Sequence, residues 1–185
     1  MRLARILFLA AAALPFAGCG SSTSSDDSPA ILLTETFDNE NGGVYALNYE
    51  GFAQWDVTGG TVDLVGTAPF DDFLPTTQRL YVDLDGTTRA GGTLVSKTAF
   101  VLTPGMYRLS FKMAGTPRPS QPDNTVIVSV GTAYRQSLTL QSYAPLRTYV
   151  GEFEVDARQT ASVSFQQLGG DDYGNFIDDI VFERL

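Results

Sequence analysis

The chain contains no histidine, one cysteine (Cys19), and twelve basic residues against twenty-one acidic ones. Each shortage removes a class of function. Without His there is no Ser-His-Asp triad and no imidazole-ligated zinc. A lone Cys closes no disulfide within the chain. A formal charge of −9 repels nucleic acid and anionic lipid headgroups, while remaining compatible with neutral polymers and divalent cations. No glycine-rich loop precedes a helical segment, which excludes a phosphate cradle. No stretch keeps helical spacing. The apolar run at residues 6–16 falls short of the roughly 20 residues that a membrane-spanning helix needs. Enzymatic activity is not expected from this inventory.

What is present at the start reads as a secretory signal. Arg2 and Arg5 precede the apolar run, and small residues follow it. The segment Phe16-Ala17-Gly18-Cys19 resembles the bacterial lipobox, Leu-(Ala/Ser)-(Gly/Ala)-Cys, with Phe in place of the usual Leu. The resemblance implies cleavage after residue 18 and lipidation of Cys19, with an ordinary signal peptide as the alternative. Gly20 in place of Asp after the Cys implies sorting to the outer membrane in a Gram-negative host. Residues 19–30 are small and polar and read as the lipidated Cys with a flexible tether. Without Arg2 and Arg5 the remainder carries 10 basic and 21 acidic residues, a charge of −11.

Residues 31–185 are long enough for one domain with a substantial core. Short runs of alternating polarity recur between Gly, Pro, Asn and Asp. The clearest is 106–114, where Tyr107, Leu109, Phe111 and Met113 oppose Arg108, Ser110 and Lys112. Others are expected at 31–37, 54–58, 61–65, 79–85, 92–96, 99–102, 124–130, 137–140, 148–155 and 161–166. Gly59-Gly60 is expected to join the second and third as a tight hairpin. Three prolines in residues 116–123 keep that stretch out of a ladder. A dozen such strands predict an all-β fold, a two-sheet antiparallel β-sandwich of the jelly-roll kind. Its first and last strands should be neighbours.

Several stretches carry a family resemblance: Tyr81-Val82-Asp83-Leu84-Asp85-Gly86, Ala90-Gly91-Gly92, Pro104-Gly105-Met106-Tyr107-Arg108-Leu109-Ser110-Phe111, and residues 169–180. Together they resemble the galactose-binding-like jelly-roll domain, in the version found in extracellular bacterial proteins with a PEP-CTERM sorting signal. The last motif there reads G-G-D-N-x-G-x-x-x-D-[DN]-[VI]. This chain shows no Pro-Glu-Pro anchor after it, and the N-terminal lipid is expected to serve instead. The resemblance implies a non-catalytic carbohydrate-binding role.

The last strand, at 175–185, holds a misfit. By period-two alternation Phe176, Asp178, Ile180 and Phe182 share a face, which aims Asp178 at the core. Glu35 takes a similar position on the first strand. Buried carboxylates need hydrogen bonds, an ion pair or a cation. Hard oxygen ligands favour calcium, with Glu35, Asp38 and Asp178 as the candidate set; the resemblance also implies a structural calcium near the termini. Backbone amides or an arginine are the alternative partners.

Candidate ligand contacts are the aromatic and cationic side chains expected outside the core. Tyr81 lies on an outward strand face. Phe70 and Phe73 sit in the acidic loop at 68–77, Tyr173 in a turn, and Arg118 on the proline-rich loop. Sugar rings stack on such rings, and packing beneath a loop is the competing role. Trp55 reads as core, and Glu152, Glu154 and Asp156 as a solvated face. The reading is a lipid-anchored envelope domain that binds carbohydrate or another extracellular polymer. A structural or adhesive protein that docks to partner proteins is the alternative.

Overall fold

The computed structural model describes residues 29–70, 74, 79–118 and 122–185. Cys19, the tether up to residue 28 and Phe73 lie outside them.

Among the described residues thirteen strands follow in order: β1 (Ala30–Glu35), β2 (Trp55–Thr58), β3 (Asp63–Val65), β4 (Tyr81–Asp83), β5 (Thr93–Ser96), β6 (Phe100–Leu102), β7 (Gly105–Ala114), β8 (Asn124–Val130), β9 (Tyr134–Leu140), β10 (Arg147–Val155), β11 (Gln159–Ala161), β12 (Val163–Leu168) and β13 (Phe176–Arg184). A 3-10 turn, Glu40–Gly43, follows β1. One sheet runs β10-β7-β13-β4-β3, with β1 also paired to β13. The other runs β2-β5-β12-β8-β9, and β6 pairs with β11 separately. Every strand ladder is antiparallel.

The alternation of β7 is what lays this out. Tyr107, Leu109, Phe111 and Met113 enter the interior, where they join Trp55, Phe165, Ile177 and Phe182. The ring of Phe111 meets that of Phe165 edge-on at 5.1 Å, which closes one sheet on the other. The first and last strands pair as expected, Glu35 opposite Ile180.

Two expectations fail. Gly59-Gly60 is no hairpin, because β2 pairs with β5 in one sheet and β3 with β4 in the other. The glycines carry the chain between the sheets instead. A Cβ on Gly60 would meet the Ala90 carbonyl oxygen at 2.1 Å, so the close backbone approach requires glycine.

The second failure is the face of Asp178. Asp178 pairs with Lys112 and Val181 with Ser110, so β13 spends three residues where β7 spends two. That is a β-bulge, and Asp179 takes a φ of 47° within it. The bulge resets the alternation. Ile177, Ile180 and Phe182 enter the core, while Phe176 joins a second cluster on the outer side of the sheet with Val65, Tyr81 and Ala114. Asp178, two residues on from Phe176 and opposite Lys112, shares that outer side.

Candidate functional site

The three acids expected to share a cation are distributed differently. Glu35 is buried, but its carboxylate is already taken. Oε1 accepts the backbone N–H groups of Thr36 and Phe37 at 3.0 and 2.8 Å. Oε2 accepts Gln54 Nε2 at 3.1 Å and the Trp55 indole N–H at 3.2 Å. The protein itself supplies the partners, the alternative weighed for this residue.

Asp178 is only 5% exposed, and its Oδ1 accepts the Asp179 N–H at 2.7 Å. Burial pushes its carboxyl up to about 7. The Asp179 N–H opposes the rise, the charges of Asp179 and Asp38 add to it, and Lys112 opposes it. Lys112 is itself committed to Asp179 at 2.6 Å. Asp38 is paired through Oδ2 with Arg79 at 3.0 Å, and its Oδ1 is buried with no hydrogen-bond partner. Among the described residues no three acidic, His or Cys side chains converge as a metal-binding group.

Tyr81 is not a ligand platform. It is fully buried in a cluster that Phe70 and Leu74 pack against, 5.3 Å from the ring of Phe176, and its hydroxyl accepts the Leu74 N–H at 3.1 Å. Tyr81 lies on the outward strand face as expected, but Phe70 and Leu74 pack against it there. Phe70 is half-buried beside the same cluster, 5.1 Å from Tyr45. Arg118 lies over the ring of Tyr173 at 4.6 Å, a cation–π arrangement.

Phe70 and Arg118 meet at a small recess of about 70 Å³, whose walls also include Asp63, Asp83, Thr87 and Asp172. Asp63 and Asp83 are direct cross-strand partners. Asp63 accepts the Asn48 N–H at 2.7 Å, and Asp83 Oδ1 accepts the Asp85 N–H at 3.0 Å. Burial raises both carboxyls, Asp83 well above the usual range; their own backbone donors and Arg118 oppose the rise. Paired carboxylates invite comparison with glycosidases. The recess is small, about 70 Å³.

A roomier groove of about 340 Å³ lies at the β9–β10 connection, lined by Gln141, Ser142, Tyr143, Arg147 and Tyr149 among others. Tyr143 is 59% exposed at a φ of 60°, a conformation that costs a non-glycine residue about 1 kcal/mol or more. The turn is held by three backbone bonds: Tyr143 N–H to Thr116 O at 2.8 Å, Gly115 N–H to Ala144 O at 2.9 Å, and Ala144 N–H to Gln141 O at 3.0 Å. Gly115 has to be glycine here, since a Cβ would meet the Gln141 carbonyl oxygen at 2.1 Å. Tyr149 is fixed by stacking on Phe111, ring centroids 5.7 Å apart. Tyr143 is not among the contacts that the sequence pattern singles out. The available signal was an aromatic residue in a polar turn beside a proline, Gln141-Ser142-Tyr143-Ala144-Pro145.

No protein-family model matches the chain, and no curated protein does. Solved structures do. The K1 cleaved adhesin domain of Lys-gingipain from Porphyromonas gingivalis W83 superposes with a TM-score of 0.57 at 13% identity, over 83% of this chain and 98% of that one. The K3 cleaved adhesin domain of the same protein gives 0.51 at 16% identity, over 84% and 99%. A CBM4 structure gives 0.50 at 19% identity, over 81% and 100%. At such identities the likeness is one of fold. The chain is an all-β, two-sheet antiparallel sandwich of the CBM-like jelly-roll type.

Proposed function

We propose that this domain is a non-catalytic binding module whose ligand is a saccharide chain, held in the groove at the β9–β10 connection. The observation that carries the reading is Tyr143, an aromatic ring held out in solvent in a strained backbone conformation at the mouth of a 340 Å³ groove. Nothing in the packing of the core asks for that ring to be there. Its face can stack on the C–H face of a sugar, while Gln141, Ser142 and Arg147 offer hydrogen bonds to the hydroxyls around it. The carbohydrate-binding fold likeness and the galactose-binding-like sequence motifs support the same ligand class.

Calcium belongs to the reading as a structural ion. Asp38 and Asp178 fit it in part, one with a partnerless buried oxygen and the other repelled by its neighbour. Backbone carbonyls would have to complete the ligand set, and Glu35 is not among its members. The reading also includes lipidation of Cys19, supported by Phe16-Ala17-Gly18-Cys19, which would hold the domain at the bacterial cell envelope, on the outer membrane.

The test is retention on immobilised glycans with competition by free sugar. Tyr143→Ala is expected to weaken binding about tenfold, since loss of a stacked ring costs roughly 1–1.5 kcal/mol, with no change in melting temperature. Retention that free sugar does not compete, alongside capture of a protein partner, would favour the adhesive alternative.

A further inference from the structure

The charges of this chain are segregated along it. Between Asp85 and Glu152 there is one acid, Asp123, while Arg89, Lys97, Arg108, Lys112, Arg118, Arg135 and Arg147 fall in the same span. Folding sets most of these cations against acids from outside the span. Arg89 meets Asp172, Lys97 meets Asp56, Arg108 meets Glu152 and Glu183, and Lys112 meets Asp179, all within 4.0 Å. Arg118 rests on the ring of Tyr173. Arg147 has no carboxylate within that distance among the described residues.

The place of Arg147 makes that lack informative. Along β10, Phe153 and Val155 enter the core and Tyr149 packs against it. Period-two alternation puts Arg147 on the same face. Its register partner on β7 is Met113, a core residue. Arg147 is nonetheless exposed, because the interior ends here and opens as the groove that it lines with Gln141, Tyr143 and Tyr149. No acid is among the described walls of that groove. Asp123 precedes Asn124, the register partner of Leu140, and is not part of the wall.

A guanidinium offers five N–H donors in a flat fork and accepts nothing. A sugar hydroxyl can take one of those bonds, and it leaves the charge unmatched. A carboxylate takes two in parallel and cancels the charge, each bond roughly twice as strong as a neutral one. The formal charge of −9 opposes a polyanion at long range, but in physiological salt charges more than about 8 Å apart are largely screened. The groove wall therefore decides the contact.

We propose that the saccharide held in this groove is acidic, a uronate polymer whose carboxylate pairs with Arg147 while a ring stacks on Tyr143. This rests on the saccharide reading of the groove and adds the residue that chooses among saccharides. Stacking on Tyr143 needs only an apolar sugar face and discriminates little. Arg147 supplies the preference.

Polygalacturonate, alginate and hyaluronan, each immobilised beside its carboxyl-reduced counterpart, separate the two claims. Reduction turns every carboxylate into a hydroxymethyl group and leaves the rings in place. A chelator is present throughout, so that no divalent ion bridges polymer and protein. The protein is expected to bind at least one acidic polymer about tenfold tighter than its reduced form, the gain from one charge-assisted contact. Arg147→Gln should lower affinity for the acidic form to that of the reduced one. Tyr143→Ala should weaken both forms alike and leave their ratio unchanged. Arg135→Gln removes the same charge from β9, on the face opposite Tyr134 and Leu138, which pack on the core, and should change nothing.

Equal binding of acidic and reduced forms overturns the uronate and leaves the saccharide reading standing. A preference that survives Arg147→Gln, or that Arg135→Gln abolishes equally, overturns the proposed contact. Dextran sulfate favoured over dextran as strongly as any uronate over its reduced form overturns it in favour of a sulfate ester. Failure of every polymer, acidic and reduced, removes the saccharide reading and this proposal with it.

Discussion

Glu35 and Asp178 are buried carboxylates on two strands that pair directly, yet their surroundings differ in kind. Glu35 sits among four N–H donors, one of them the indole of Trp55. Asp178 has one backbone donor and two like charges, with a lysine already engaged by Asp179. Burial alone says only that a carboxylate must be compensated. The donor inventory says whether the fold does it. Glu35 acts as a structural clamp that ties the end of β1 to the start of β2. Asp178 has too few donors to offset its burial, which holds the proton on its carboxyl instead.

The comparison can be broken at Glu35 first. Glu35→Ala strands the Phe37 amide and the Trp55 indole N–H without an acceptor. The expected loss is about 4 kcal/mol, from roughly 1–3 kcal/mol for each buried unsatisfied donor, measured by urea unfolding. A loss no larger than that of a surface substitution would show that the clamp contributes nothing.

Asp178→Asn should act in the opposite direction. The unfolded chain gives up this proton near pH 4 and the folded chain only near 7. Between those values the folded state holds the extra proton, so stability falls as pH rises through the window. The amide escapes that cost while keeping an acceptor for the Asp179 N–H. The variant should be about 2 kcal/mol more stable than the parent at pH 8, after discounting the full shift at 1.36 kcal/mol per unit for relaxation, and equal to it below pH 4. Paired urea titrations at the two pH values read this directly, and a variant less stable at pH 8 would reverse the account.

The smallest effect sharpens the same contrast. If calcium is what balances Asp178, adding it at ten times its dissociation constant contributes about 1.4 kcal/mol. That corresponds to a rise of about 4 °C in Tm at pH 8 for a domain of this size. The gain should vanish in Asp178→Asn and below pH 5, where the carboxyl is protonated, and should be untouched by any change at Glu152. A chelator-treated protein whose melt ignores calcium would remove the ion from the reading.

These residues also mark how far the sequence could be read. The β7 alternation was legible because a strand packed on a core has one period, and Tyr107, Leu109, Phe111 and Met113 repeat it without a break. Trp55 as core and Glu152, Glu154 and Asp156 as a solvated face follow from the same rule. Asp178 was legible as a misfit but its direction was not, because the rule assumes an unbroken strand and a single extra residue inverts every face beyond it. The strand pattern puts Tyr81 on the outward side of β4, but the side chains that bury it there, Phe70 and Leu74, come from another segment and leave no mark on the strand.

From local pattern alone the chain determined that it is a sandwich of short antiparallel strands with no histidine. Those properties depend on side-chain type and on a two-residue period, which every segment carries within itself. Tertiary structure alone decided which donors reach Glu35, that Asp63 faces Asp83 beside Arg118, and that Tyr143 stands over a groove. Each of these is a meeting between segments tens of residues apart, fixed by register and loop closure. No stretch of sequence holds that information before the sheets have packed.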